Sequence, residues 1–135
     1  MAELKKFWVD NQAAYTHVIW IGHGSDIGLK FGVDGMIDVD SLTEALRVHG
    51  APEKIYISLV CKAGRKGFGA AVSRTAICRY FLGPFDAVEG TIASQFCQTF
   101  LGSHLLNEAS AGVTFKHARQ AAPGGSSFRL WVKAG

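Results

Sequence analysis

Two residues in this chain have the types and the setting to do nucleophilic chemistry together. Cys61 follows the mostly apolar run Tyr56-Ile57-Ser58-Leu59-Val60 and precedes the small turn Lys62-Ala63-Gly64. His23 follows Val18-Ile19-Trp20-Ile21 and stands between Gly22 and Gly24. A thiolate is a strong nucleophile, and an adjacent imidazolium both lowers the thiol pKa and carries the proton that the chemistry must move. Each apolar run reads as a buried strand ended by glycine-bearing chain. Neighbouring strands of an open parallel sheet deliver their C-terminal ends to one edge, where α/β proteins place their chemistry. If these two strands are neighbours, Cys61 and His23 meet there. The plain alternative is that Cys61 is a small buried hydrophobe and His23 a turn residue. Finding both at matching strand ends favours the chemical reading.

The flanking elements follow from pattern. Residues 3 to about 14 read as a short amphipathic helix with Leu4, Phe7, Trp8 and Ala14 inward. Thr16 to Ile21 is the histidine strand, and Gly28 to Val33 and Met36 to Val39 form a hairpin about Asp34-Gly35. Asp40 or Ser41 caps a helix over Leu42 to Val48, with Glu44 placed to close a capping box with Ser41. The cysteine strand spans Lys54 to Val60. A glycine-rich basic loop (Ala63 to Gly69) leads to a short helix near Ala70 to Arg74 and a strand from Ala76 to Leu82, broken by Gly83-Pro84. A long helix over Val88 to Leu105 carries Ile92, Phe96, Phe100 and Leu101 at helical spacing, and Asn107 to Gln120 is a second helical stretch. After the break Pro123 to Ser127, Phe128, Leu130 and Val132 alternate with Arg129, Trp131 and Lys133 as a half-exposed strand. No internal repeat appears, so 1–135 reads as a single domain.

Composition narrows the classes. With 135 residues, 48% hydrophobic, the chain can bury one α/β core. A mean hydropathy of +0.15 suits a parallel sheet that is apolar on both faces, or an apolar surface kept for a partner. No apolar run is long enough to span a bilayer and Met1 to Phe7 lacks a signal-peptide pattern, so no membrane association and a cytoplasmic setting are expected. The net charge of +3 is small and dispersed, and Lys62, Arg65 and Lys66 carry only Phe68 as an aromatic, which argues against nucleic acid. Three scattered cysteines without a CxxC pair argue against a disulfide framework and a zinc knuckle. Cys78 and Cys97 read as core. His17, His49, His104 and His117 lack a ligand constellation, so no metal is expected. There is no GxSxG elbow, GxGxxG or P-loop, and no cofactor is implied.

The order of these motifs resembles the caspase-like (clan CD) cysteine peptidases, within them the CHAT and separase-like group. The resemblance rests on Ile19-Trp20-Ile21-Gly22-His23-Gly24, the hairpin Leu29 to Val39, and Ile57-Ser58-Leu59-Val60-Cys61-Lys62-Ala63-Gly64. The Phe-rich helix after Ala76 and the closing aromatic strand Phe128 to Gly135 also fit, so it covers nearly the whole chain. It implies an α/β three-layer αβα sandwich with a mostly parallel central sheet. The activity implied is a thiol protease with Cys61 as nucleophile, His23 as proton shuttle, and the backbone N–H groups of Gly24 and Cys61 as oxyanion hole. Its S1 pocket would draw on regions holding Asp26, Asp86 and Glu89; a carboxylate there would favour a basic P1 residue. As ordinary structure these are a turn aspartate and helix-start acids that complement the dipole. Two departures stand out. The resemblance implies a further strand–helix–strand unit before the histidine strand, and a domain without it, truncated on its N-terminal side, is expected to leave one edge beside that strand open to a partner chain or to self-association. Lys62 also replaces the small residue usual beside the cysteine. A protein or peptide substrate follows if the resemblance holds; a catalytically silent module that binds a partner through that edge is the alternative.

Overall fold

The computed structural model of the chain describes residues 1–132. Lys133, Ala134 and Gly135, the end of the expected closing strand, lie outside the described residues. In chain order the elements are α1 (Ala2–Asn11), β1 (His17–Trp20), β2 (Gly28–Phe31), β3 (Gly35–Asp38), α2 (Val39–Leu46) and β4 (Lys54–Ser58). There follow α3 (Ala71–Ser73), entered through a π-helical turn over Lys66–Ala70, then β5 (Cys78–Pro84), α4 (Gly90–Leu101), α5 (Ala111–Ala121) and β6 (Phe128–Val132).

Among the described residues, four strands form one sheet in the order β1-β4-β5-β6, with β2 and β3 a separate hairpin. β1, β4 and β5 run parallel; β6 closes antiparallel on β5. The sheet is covered on both faces, which explains the uninterrupted burial of β4. On one face Tyr56 and Phe81 pack with Trp8 of α1, Leu42 and Leu46 of α2, and Phe68 and Val72. On the other, Ile55, Ile57, Leu82 and Phe128 pack with Ala93, Phe96 and Phe100 of α4 and Ala111 and Ala118 of α5. Phe96 and Phe128 stack with centroids 3.9 Å apart at the centre of this second layer. The chain is thus a mixed α/β fold with a mostly parallel sheet between helices.

Several boundaries differ from the sequence reading for identifiable reasons. α2 begins at Val39 because Asp38 is the N-cap, its Oδ1 accepting from the Ser41 N–H at 2.9 Å; Ser41 then lies inside the first turn, and the expected box with Glu44 does not form. Gly83 and Pro84 do not break β5 but end it. They lie beyond the β4 register, with ladder partners among the described residues in β6 alone (Arg129 and Phe128), a one-sided position that tolerates proline. The register of β5 shifts near its start, so Cys78 and Phe81 share one face while Tyr80 and Leu82 pack on the other. α1 ends at Asn11; Phe7 is 50% exposed and Ala14 stands exposed in a 3-10 turn, leaving Trp8 as the buried residue of that helix. The hairpin loop is the 3-10 turn Gly32–Asp34 rather than a two-residue turn. α4 is shorter than expected, ending at Leu101 before a π-helical turn over Gly102–Leu106. The segment before β6 is an ordered 3-10 turn, Gly125–Ser127, with Gly125 buried. β6 is half-exposed as expected, Arg129, Leu130 and Trp131 partly covered and Val132 exposed, but its apolar contacts lie on both faces, Trp131 against the first layer and Phe128 and Leu130 in the second.

Candidate active site

Cys61 sits on a turn held from several sides. At the end of β4 the buried Ser58 hydroxyl accepts from the Val60 N–H at 3.2 Å, bending the chain as it leaves the sheet. Ala63 N–H then bonds to Val60 O and Arg65 N–H to Lys62 O. Lys62 takes a left-handed conformation, φ 65°, uncommon for a residue with a side chain. Outside the turn runs the segment after β5. Lys62 N–H donates to Asp86 O at 3.3 Å and Gly64 N–H to Pro84 O at 2.8 Å. Arg65 Nε–H donates to Phe85 O at 2.7 Å, its guanidinium also 3.5 Å from Asp86 Oδ1. On the far side the Trp131 indole N–H donates to Gly64 O at 2.6 Å. Position 64 admits no side chain, because a Cβ there would collide with the Gly83 carbonyl.

The histidine turn is positioned by β1 and the hairpin. β1 pairs with β4 in register, Trp20 opposite Ser58, and the ladder continues as Leu59 N–H donates to Trp20 O at 2.8 Å. Past Trp20 the chain is drawn toward β2: Lys30 N–H donates to His23 O and Ser25 N–H to Gly28 O, both at 2.9 Å, flanking an isolated Gly24–Leu29 bridge. A Cβ on Gly24 would lie 2.6 Å from Gly28 O and 2.7 Å from a Val60 methyl, so only glycine fits where this turn meets the residue before Cys61. In such a bridge the N–H of Gly24 points away from β2. Among the described residues neither that N–H nor the Cys61 N–H donates to a backbone carbonyl.

The two strand ends that sequence pairs therefore lie side by side. His23 is exposed and lines a cleft of about 450 Å³ with Trp20, Gly22, Leu29, Lys30 and Val60. Cys61 is half-buried and does not line that cleft; its Sγ–H points to the Val88 carbonyl at 3.6 Å. No hydrogen bond joins His23 to Cys61 among the described residues. Of the three carboxylates, Asp86 lies against the cysteine turn with its charge offset by Arg65, and Glu89 is the exposed N-cap position of α4. Asp26 is exposed, its carbonyl abutting Gly67 of the basic loop.

Cys78 and Cys97 are buried, and burial raises the Cys97 thiol above its usual range. His49 and His117 are exposed. His17 and His104, 87 residues apart in the chain, have rings 5.3 Å apart at the start of β1. The His104 Nδ1–H donates to Ala109 O, and His17 Nδ1 meets the Thr16 hydroxyl at 2.7 Å. Burial first, and then the neighbouring His104, lower the pKa of His17. No group of three or more His, Cys, Asp or Glu side chains is arranged to hold a metal ion among the described residues. Sequence reasoning missed Arg65, Phe85 and Trp131 as the supports of the cysteine turn. Trp131 carried the one available signal, a large aromatic at an alternating strand position. No helix of the described residues is long and apolar enough to cross a membrane. No protein-family model and no curated protein sequence matches the chain.

Proposed function

We propose that the chain is a caspase-like cysteine endopeptidase acting through Cys61 and His23. The observation that carries this reading is the β1–β4 register, which seats the His23–Gly24 turn against Val60, the residue before the candidate nucleophile. In the reaction the Cys61 thiolate attacks the peptide carbonyl and forms a C–S bond. The oxyanion is met by the Gly24 and Cys61 N–H groups. His23 gives its proton to the leaving amine as the C–N bond breaks, and water then hydrolyses the thioester. To begin, the thiol must swing from the Val88 carbonyl toward His23, so binding of a partner or of substrate is what makes the dyad competent. Asp26 and Glu89 are the carboxylates left to favour a basic P1 residue, since Arg65 offsets Asp86. Three free thiols suit a reducing, cytoplasmic setting.

The test is covalent labelling with acyloxymethyl ketones bearing basic, acidic or apolar P1 groups. Wild type should label, best with Arg or Lys at P1, and Cys61→Ala and His23→Ala should not. A folded wild type that ignores every probe would sink the enzyme reading for the chain alone.

A second reading, a partner-binding module of the same fold, draws on the free edge of β1. That strand holds no Asp, Glu, Lys or Arg from His17 to Trp20, pairs among the described residues only with β4, and carries Ile19 with the 81%-exposed Ile21 after it. Sedimentation of wild type against Ile19→Lys is its measure. Association that persists unchanged in the variant excludes this edge.

A further inference from the structure

At the opposite end of β4 from Cys61, a cavity of about 200 Å³ lies between α1, the 46–52 loop and the sheet. Strand alternation places Lys54 and Tyr56 on the same face, both turned to that side beneath Trp8. Lys54 is 4% exposed and Tyr56 1%. The Lys54 ammonium donates to Gln12 O at 2.9 Å and lies 5.9 Å from the Trp8 ring centroid. Among the described residues it has no carboxylate partner, although an ammonium carries three donors. The Tyr56 hydroxyl is buried without a hydrogen-bond partner. A buried cation without a counter-charge and a buried hydroxyl without an acceptor are both costly, and neither is required by the dyad. Burial lowers the Lys54 pKa accordingly.

We propose that this cavity binds a small organic carboxylate with a planar apolar body, its anion between Lys54 Nζ and the Tyr56 hydroxyl. The charge distribution selects the sign. Arg47 and His49 stand exposed at the rim, and among the described residues no aspartate or glutamate lines the space. The Trp8 ring, Leu46, Val48 and Ile77 supply an apolar wall. A cavity of roughly 150 Å³ suffices for benzene, so this one has room for a six-membered ring and a carboxylate. The site would be independent of the peptidase reading, being built on the other end of the strand.

The experiment is a titration of the full chain, ¹⁵N-labelled, with benzoate and with neutral benzamide, following the Trp8 indole N–H. Benzoate should give a saturable shift, with benzamide weaker by at least about tenfold because it forfeits the ammonium–carboxylate contact. Lys54→Met should weaken benzoate by a similar factor. Tyr56→Phe, which removes only the hydroxyl, should weaken it by less and decides the matter if Lys54→Met does not fold. Absence of a saturable shift, equal binding of benzamide, or unchanged benzoate binding in a folded variant would overturn the proposal.

Discussion

The thiol of Cys61 is positioned by neighbours that contribute no chemistry of their own. Arg65 is the principal one. Its Nε–H holds the Phe85 carbonyl, its guanidinium offsets Asp86, and it covers the Phe85 ring at 5.1 Å, with Arg129 over the same ring at 5.0 Å. Removing it frees the segment that carries the Asp86 and Val88 carbonyls, which bind Lys62 N–H and the thiol. On the peptidase reading, Arg65→Ala should slow ketone labelling of Cys61 by about ten- to a hundredfold, the scale of a small misplacement of a reacting group. Far-ultraviolet circular dichroism should stay unchanged, since an exposed ion pair contributes little stability. A labelling rate equal to wild type would mean that the turn stands without this arginine.

Between elements, the least expected contact joins the first residue of β1 to the π-helical turn after α4, where His17 meets His104. The His17 pKa is lowered in the folded chain, so below about 6.5, its ordinary value, the unfolded chain binds the proton that the folded chain resists. Stability contributed here is complete above that pH and falls as pH drops through the lowered folded value. His104 is the other titratable group facing it. Urea unfolding midpoints should therefore decline from neutral to mildly acidic pH, and His17→Gln should flatten the decline. A variant with the same slope as wild type would place the pH dependence elsewhere.

At the scale of the whole molecule, two separate apolar layers sit on the two faces of one sheet. Phe96 is fully buried in the second layer, stacked on Phe128 and edge-on to Phe115 at 6.2 Å. Phe96→Ala would open a cavity between α4, α5 and β6 and should cost about 3–5 kcal/mol. Domains hold only about 5–15 kcal/mol in total, so this change should lower the thermal midpoint by well over ten degrees or prevent folding. A shift of a degree or two would show that the layer relaxes around the loss.

The Cys61 turn and the His23–Gly24 turn were legible from residue types alone, because an apolar run closed by glycine is a local signal that needs no partner. The same holds for the Phe96–Phe100 face of α4, written in its spacing. The cap at Asp38 was misread because Asp40 and Ser41 stand just beyond it as equally good capping residues, and only the backbone path selects one. Gly83 and Pro84 were misread because a proline rule assumes pairing on both sides, and β5 outruns β4. What only the tertiary structure decided is long-range: that β1 and β4 are neighbours, that the thiol faces Val88, that Trp131 reaches Gly64, and that Lys54 is buried without a counter-charge. These depend on contacts between residues far apart in the chain, and periodicity carries no information about which distant surface will cover a given side chain.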